Sequence, residues 1–114
     1  MSVIGEAEWP FGDYLSPAKA EEWAAVQARL GAGGAVRGPV IARRPFGVFV
    51  DIGAGFPALL EVIQFEHARE RRYIFEDYPA VGEMITARVV AFDDRNRQIG
   101  LTQLNPHPYL DPSK

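Results

Sequence analysis

Residues 17–30 carry apolar side chains at the spacing of a helix. Ser16 and Pro17 suit the N-cap and the first helical position, and Gly31 suits the residue that follows the last turn. The apolar stripe consists of Ala20, Trp23, Val26 and Leu30. Their intervals of three and four residues place them on one side of a helix. The sequence therefore predicts a helix over about 17–30.

After residue 33 the pattern changes to short runs that alternate with a period of two. Val48, Val50 and Ile52 fall on one face of such a run, while Phe49 and Asp51 fall on the other. Five runs separated by turn residues predict strands at 36–42, 47–52, 58–63, 85–91 and 98–102. The side chains expected inside are Val40, Val48, Val50, Ile85, Val89, Ile99 and Leu101. A long connector after the third strand is typical of the oligonucleotide/oligosaccharide-binding (OB) fold. We predict an all-β barrel of five antiparallel strands with an N-terminal α-helix.

The chain divides into an N-terminal arm (1–32), a barrel (33–103) and a proline-rich tail (104–114) that we expect to be extended. Trp9, Phe11 and Tyr14 make the arm too apolar for a free segment. We therefore expect the arm to pack on the barrel.

Composition narrows the classes of function. The chain has no cysteine, which excludes disulfides and thiolate chemistry, and its net charge is −3. It has no apolar run long enough to span a membrane and no basic, apolar secretory start, so we expect a cytoplasmic protein. The acidic excess lies in the arm, whereas acids and arginines balance in the barrel.

Catalytic signals are weak. Residues 53–58 fit the pattern G-x-G-x-x-A, but Pro57 and the short chain leave no βαβ unit, so this segment is interpreted as a turn. His67 and His107 have no third metal ligand in view. We expect a non-catalytic protein without metal or cofactor.

Several motifs occur together in residues 33–103. They are Gly-Pro-Val at 38–40, Phe-Gly-Val-Phe-Val-Asp-Ile-Gly at 46–53, Leu-Leu at 59–60, Val-Gly at 81–82, Arg-Val-Val at 88–90 and Ile-Gly-Leu-Thr at 99–102. These motifs and their spacing resemble the S-one domain family, the OB-fold repeat of ribosomal protein S-one. The resemblance implies binding of single-stranded RNA, with Phe46 and Phe49 as stacking residues and Asp93 beside them.

The chain departs from this family at two positions of the implied RNA face. Glu61 stands where the family has a histidine, and Gln98 stands where it has an arginine, with Arg97 displaced by one residue. A carboxylate on this face would repel phosphate.

The residues leave two alternatives for Phe49, which alternation directs away from the core. It could stack on a base, or it could be covered by the N-terminal helix or by Trp9 or Phe11. Phe46 begins its strand and could be half-buried.

Arginines are the candidates for phosphate contacts, and each could instead be a solvated residue paired with an acid. Arg43 and Arg44 lie in the loop that borders the ligand groove of an OB barrel. The predicted RNA-binding set is Phe46, Phe49, Arg43, Arg44, Arg88, Asp93 and Arg97.

Two functions remain open. The first is a module that holds single-stranded RNA by stacking and by arginine–phosphate contacts. The second is a protein-interaction module, such as a regulatory, antitoxin or immunity-type partner, on a barrel that has lost its RNA face. Glu61, Gln98 and the acidic arm favour the second.

Overall fold

The structure, a computed structural model, describes residues 9–112; the ends of the arm and tail, 1–8 and 113–114, lie outside the described part. Its elements are α1 (Ala20–Leu30), β1 (Ala35–Arg44), β2 (Gly47–Val50), β3 (Ala58–Glu61), β4 (Met84–Asp93) and β5 (Gln98–Thr102). The strands close into a barrel in the order β1-β2-β3-β5-β4. The predicted five-stranded barrel with an N-terminal helix is confirmed.

One pairing differs from the all-antiparallel prediction, because β3 and β5 run parallel. The other four pairs are antiparallel. Since β2 reverses β1 and β3 reverses β2, β1 and β3 share a direction. Since β4 reverses β1 and β5 reverses β4, β5 shares that direction as well. Barrel closure between β3 and β5 therefore requires a parallel pair.

Alternating side chains fill the barrel interior. All seven residues predicted to lie inside are buried. β1 pairs with β4 along its first half and with β2 along its second half, so it must bend around the barrel. Near this bend, a Cβ atom on Gly38 would lie 2.0 Å from the carbonyl oxygen of Asp51. Only glycine permits this close approach.

The helical part of the arm closes one end of the barrel. Ser16 Oγ accepts a hydrogen bond from the Ala18 amide at 3.1 Å, and a 3-10 turn at Pro17–Lys19 leads into α1. Trp23 is buried against Phe56 and Phe92. Helical periodicity therefore supplies the apolar stripe that covers the core.

The tail is not extended as expected, because turns fold it back onto β4. Arg88 Nη2 donates to Asp111 Oδ2 at 2.8 Å, and the same carboxylate accepts from the His107 amide at 2.8 Å. These bonds offset the extended preference of the prolines. No helix within residues 9–112 is long and apolar enough to cross a membrane.

Candidate nucleic-acid interface

Phe49 lies on the outside of β2 but is not open to solvent. Its side chain is only 8% exposed and packs in a cluster with Phe11, Ile41 and Ala42. The Trp9 ring meets the Phe49 ring nearly at a right angle, with centroids 5.5 Å apart. Of the two alternatives for Phe49, the structure shows the second, in which the arm covers the ring. An outward phenyl ring gains stability when apolar groups of the arm remove it from water.

Two exposed aromatic side chains flank this buried ring. Phe46 is 48% exposed, and its ring centroid lies 6.1 Å from that of Phe49. Trp9 is 38% exposed and also contacts Phe11, at 5.0 Å between centroids. We call Trp9, Phe46 and Phe49 together the aromatic platform. Its exposed surface comes from Trp9 and Phe46, and Phe49 supports both.

Arg43 and Arg44 are the last two residues of β1 and directly precede the turn that contains Phe46. The Arg43 guanidinium lies over the Phe75 ring at 4.4 Å from its centroid, and its Nη2 donates to the Phe75 carbonyl. Arg44 Nη1 donates to the carbonyl of Arg43 at 2.9 Å. The Tyr78 hydroxyl donates to the Pro45 carbonyl and holds the loop to the connector. The end of β1 thus places one cation, that of Arg43, against the exposed Phe75 ring, and both arginines precede the turn that carries Phe46.

Arg97 holds the arm rather than standing free for a phosphate. Its Nη1 donates to the carbonyl oxygens of Tyr14 at 3.1 Å and Ser16 at 2.7 Å. Its backbone is left-handed, with φ of 49°. Nη1 of Arg97 is thus occupied within the chain, and a contact of this residue with RNA stays a prediction.

Arg88 also has an intramolecular partner. It stands opposite Ala35 on β1 and Thr102 on β5, where it bonds Asp111 and, at 3.2 Å, the Leu104 carbonyl. The hydrogen bond with Asp111 raises the pKa of Arg88 above its ordinary value. Arg88 therefore anchors the tail, and its contact with RNA stays a prediction.

Asp93 organises the turn between β4 and β5. Its carboxylate accepts hydrogen bonds from the Asn96 side chain at 2.9 Å and from the amides of Arg95 and Asn96 at 3.0 and 3.2 Å. The bonds from Asn96 are the main reason that the pKa of Asp93 lies below its ordinary value. The side chain is exposed, but its hydrogen-bonding capacity is largely used within the turn.

Glu61 is exposed at the end of β3, directly opposite Gly47. A Cβ on Gly47 would lie 2.3 Å from the Leu60 carbonyl oxygen, so the two strands pack very closely here. The carboxylate therefore lies next to the residue that follows Phe46.

Sequence reasoning assigned no binding role to Trp9 or Phe75. The apolar arm signalled that Trp9 packs, but only the fold brings it beside Phe49. The stacking of Phe75 on Arg43 depends on the irregular connector, which has no periodic pattern. Among the described residues, no three histidine or acidic side chains are grouped so that they could hold a metal ion.

Known proteins share this fold. No protein-family model matches the chain. A 4-hydroxy-3-methylbut-2-enyl diphosphate reductase of Clostridium tetani is 33% identical over 82 residues, which are 72% of this chain and 13% of the reductase. The solution structure of GSP13 from Bacillus subtilis superposes with a TM-score of 0.54 at 18% identity, over 75% of this chain and 58% of that chain.

A third similar protein was solved with nucleic acid bound. It is the RNase R of Mycoplasma genitalium in complex with ribose-methylated single-stranded RNA, with a TM-score of 0.54, 18% identity, and coverage of 75% of this chain and 15% of that chain. The chain thus spans a small part of the reductase and of RNase R and just over half of GSP13. The similarity to the two solved structures establishes the OB-type barrel.

Proposed function

We propose that this chain is a non-catalytic, S-one-type module that binds single-stranded RNA. The observation that carries the proposal is the half-exposed Phe46 ring in the turn that directly follows Arg43 and Arg44 at the end of β1. An aromatic face binds any base by stacking, and arginines neutralise phosphates along the strand. Support comes from the RNase R neighbour, whose structure contains single-stranded RNA.

Charge limits the affinity that this interface can reach. Arg43, Arg88 and Arg97 all bond other parts of the chain, so each phosphate contact would compete with an internal bond. Glu61 adds a negative charge at the end of β3, opposite Gly47. If two to four phosphates are neutralised, the slope of log affinity against log salt is roughly −1.4 to −2.8 for a single strand. We expect modest binding that weakens as salt rises.

The proposal is tested by titrating the chain with a fluorescein-labelled single-stranded RNA of mixed sequence at two salt concentrations. A length of about 12 nucleotides lies within the site sizes of OB barrels. Phe46→Ala should weaken binding roughly 5- to 150-fold, because stacking is worth about 1–3 kcal/mol per base. Tyr109→Ala, which removes an exposed ring from the tail, is the matched control and should bind as the wild type does.

Arg43→Ala should weaken binding about equally for all sequences and flatten the salt slope by a fraction of a unit. A duplex of the same sequence should bind less well, because paired bases cannot reach the aromatic rings. An intact chain that binds no RNA at low salt, or that binds equally well after Phe46→Ala, would contradict the proposal.

A protein-interaction module is the second candidate. The observation that favours it is the exposed apolar surface of Ile63, Ile74 and Phe75 around the connector. Exposed large apolar side chains of this kind are a common feature of protein contacts. Under this alternative, Ile63→Ser would weaken partner binding, whereas RNA titrations would show nothing.

A further inference from the structure

We propose that Trp9 is a second stacking residue of the RNA interface, so that the arm forms part of the binding surface. This inference rests on the proposed function and adds a residue to it. Trp9 and Phe46 both contact Phe49, from which their ring centroids lie 5.5 and 6.1 Å away. Two exposed rings on one buried ring can receive two bases of one strand.

The arm is fixed firmly enough to serve as a binding surface. Phe11, two residues after Trp9, is buried against Ile41 and Phe49. Five to seven residues after Trp9, Arg97 bonds the carbonyls of Tyr14 and Ser16. The helix that follows docks through Trp23. The indole is therefore held close to its place before RNA arrives, which lowers the entropic cost of binding.

Part of the Trp9 ring packs against other rings, and part of it is exposed to solvent. It meets Phe11 and Phe49 at interplanar angles of 82° and 84°, and it still exposes 38% of its surface. Of the three residues of the aromatic platform, Phe49 alone is buried. A base that approaches β2 from solvent thus reaches Trp9 or Phe46 before it reaches Phe49.

A competing interpretation treats the arm as a lid that RNA must displace to reach Phe49. Displacement would expose Phe11 and Phe49 to water and would break both bonds of Arg97. Binding would lose the free energy needed for this opening. Stacking on Trp9 requires no opening, and for this reason we favour it.

The test measures affinity by the anisotropy of the labelled RNA, with the intact chain and its variants. Trp9→Ala should weaken binding roughly 5- to 150-fold, and Trp9→Phe should restore much of the loss because it keeps an aromatic face. Leu15→Ala removes another exposed apolar side chain of the same arm and should leave the affinity unchanged. Melting curves establish that each variant is folded.

Intrinsic fluorescence supplies a second readout. The chain has two tryptophans, and Trp23 is buried with its indole bonded to Asp94. Unlabelled RNA should quench the emission of the wild type and should quench Trp9→Phe far less. A buried Trp23 gives little change in either protein.

The outcomes separate this inference from the proposed function. If Phe46→Ala weakens binding and Trp9→Ala does not, the module binds RNA but Trp9 is not part of the site. Tighter binding by Trp9→Ala would show that the arm is a lid and would overturn the inference. A wild-type chain without RNA affinity would overturn the inference together with the proposed function.

Discussion

The barrel wall has an apolar cluster on each side, and the two clusters come from different parts of the sequence. The inner cluster consists of alternating strand residues such as Val48 and Val89, and α1 closes it through Trp23. The outer cluster joins Phe11 of the arm to Ile41, Ala42 and Phe49 of β1 and β2. The inner cluster is intrinsic to an OB barrel, whereas the outer one requires the arm.

Under the proposed function this difference matters, because the outer cluster contains Phe49, which the resemblance implies as a stacking residue. The arm covers Phe49 and places Trp9 at the surface in its stead. If Trp9 binds RNA as proposed, a segment outside the barrel supplies a stacking ring without changing the barrel. Substitutions in the two clusters should separate stability from binding.

The largest effect is expected at Trp23, in the inner cluster. Trp23→Ala removes a ring that packs on Phe56 and Phe92 and should lower the free energy of unfolding by about 3–5 kcal/mol. Trp23→Phe keeps most of the packing and loses the 2.9 Å bond from Nε1 to Asp94, so its cost should be smaller. Urea unfolding measures both. Equal losses would mean that the hydrogen bond, rather than the ring, holds the helix.

The outer cluster should contribute less. Phe11→Ala should destabilise by about 1.5–3 kcal/mol, the value of burying one such side chain. Because Phe11 and Phe49 belong to one cluster, the stability losses of Phe11→Ala and Phe49→Ala should be non-additive. The losses of Phe11→Ala and Trp23→Ala should add, because Trp23 lies in the other cluster. Additivity of the Phe11 and Phe49 substitutions in urea unfolding would argue against a shared cluster.

Arg97 connects the arm to the barrel. Arg97→Asn removes both bonds to the arm carbonyls but keeps a residue that tolerates a left-handed backbone, so the turn should persist. We expect a loss of about 1.5 kcal/mol, typical of the weaker bonds to a charged group. Arg95→Asn, an exposed arginine in the same turn, is the control. Amide hydrogen exchange in the arm should be faster in Arg97→Asn than in the wild type, and unchanged in Arg95→Asn. Unchanged exchange in Arg97→Asn would show that Arg97 does not anchor the arm.

The smallest expected effect is the pH dependence of stability that comes from Asp93. Because the folded pKa of Asp93 is lowered, its contribution to stability is present above its unfolded pKa of about 3.9 and disappears as the pH falls through the lowered folded value. Asp93→Asn should therefore melt slightly below the wild type at neutral pH. The two melting temperatures should converge as the pH falls below about 3.9. A difference that persists in acid would show that the carboxylate charge is not the cause.

The fold was predictable because it depends on local periodicity. Intervals of three and four residues predicted the helix around Trp23, and alternation predicted the interior of the barrel. The parallel pair of β3 and β5 is not a local property, since it follows from closure of the whole sheet.

The site was less predictable because its side chains have partners far away in the chain. Arg97 bonds Tyr14, and Arg88 bonds Asp111. Sequence reasoning left an internal partner open for each arginine but could not name these two. A signal for the covered face was present nevertheless. Val40, Ile41 and Ala42 form an unbroken apolar run in β1, and such runs indicate a strand that is buried on both faces.

The most direct test of RNA binding on the Trp9 and Phe46 surface is an NMR titration of the intact, 15N-labelled chain with single-stranded RNA. The two tryptophans supply two indole N–H signals within one sample. The Trp9 signal and the Gly47 amide, next to Phe46, should shift as RNA is added. The Trp23 indole, bonded to Asp94 at the barrel end, should stay in place. A shift at Trp23 without one at Trp9, or no shift at either, would contradict the proposed interface.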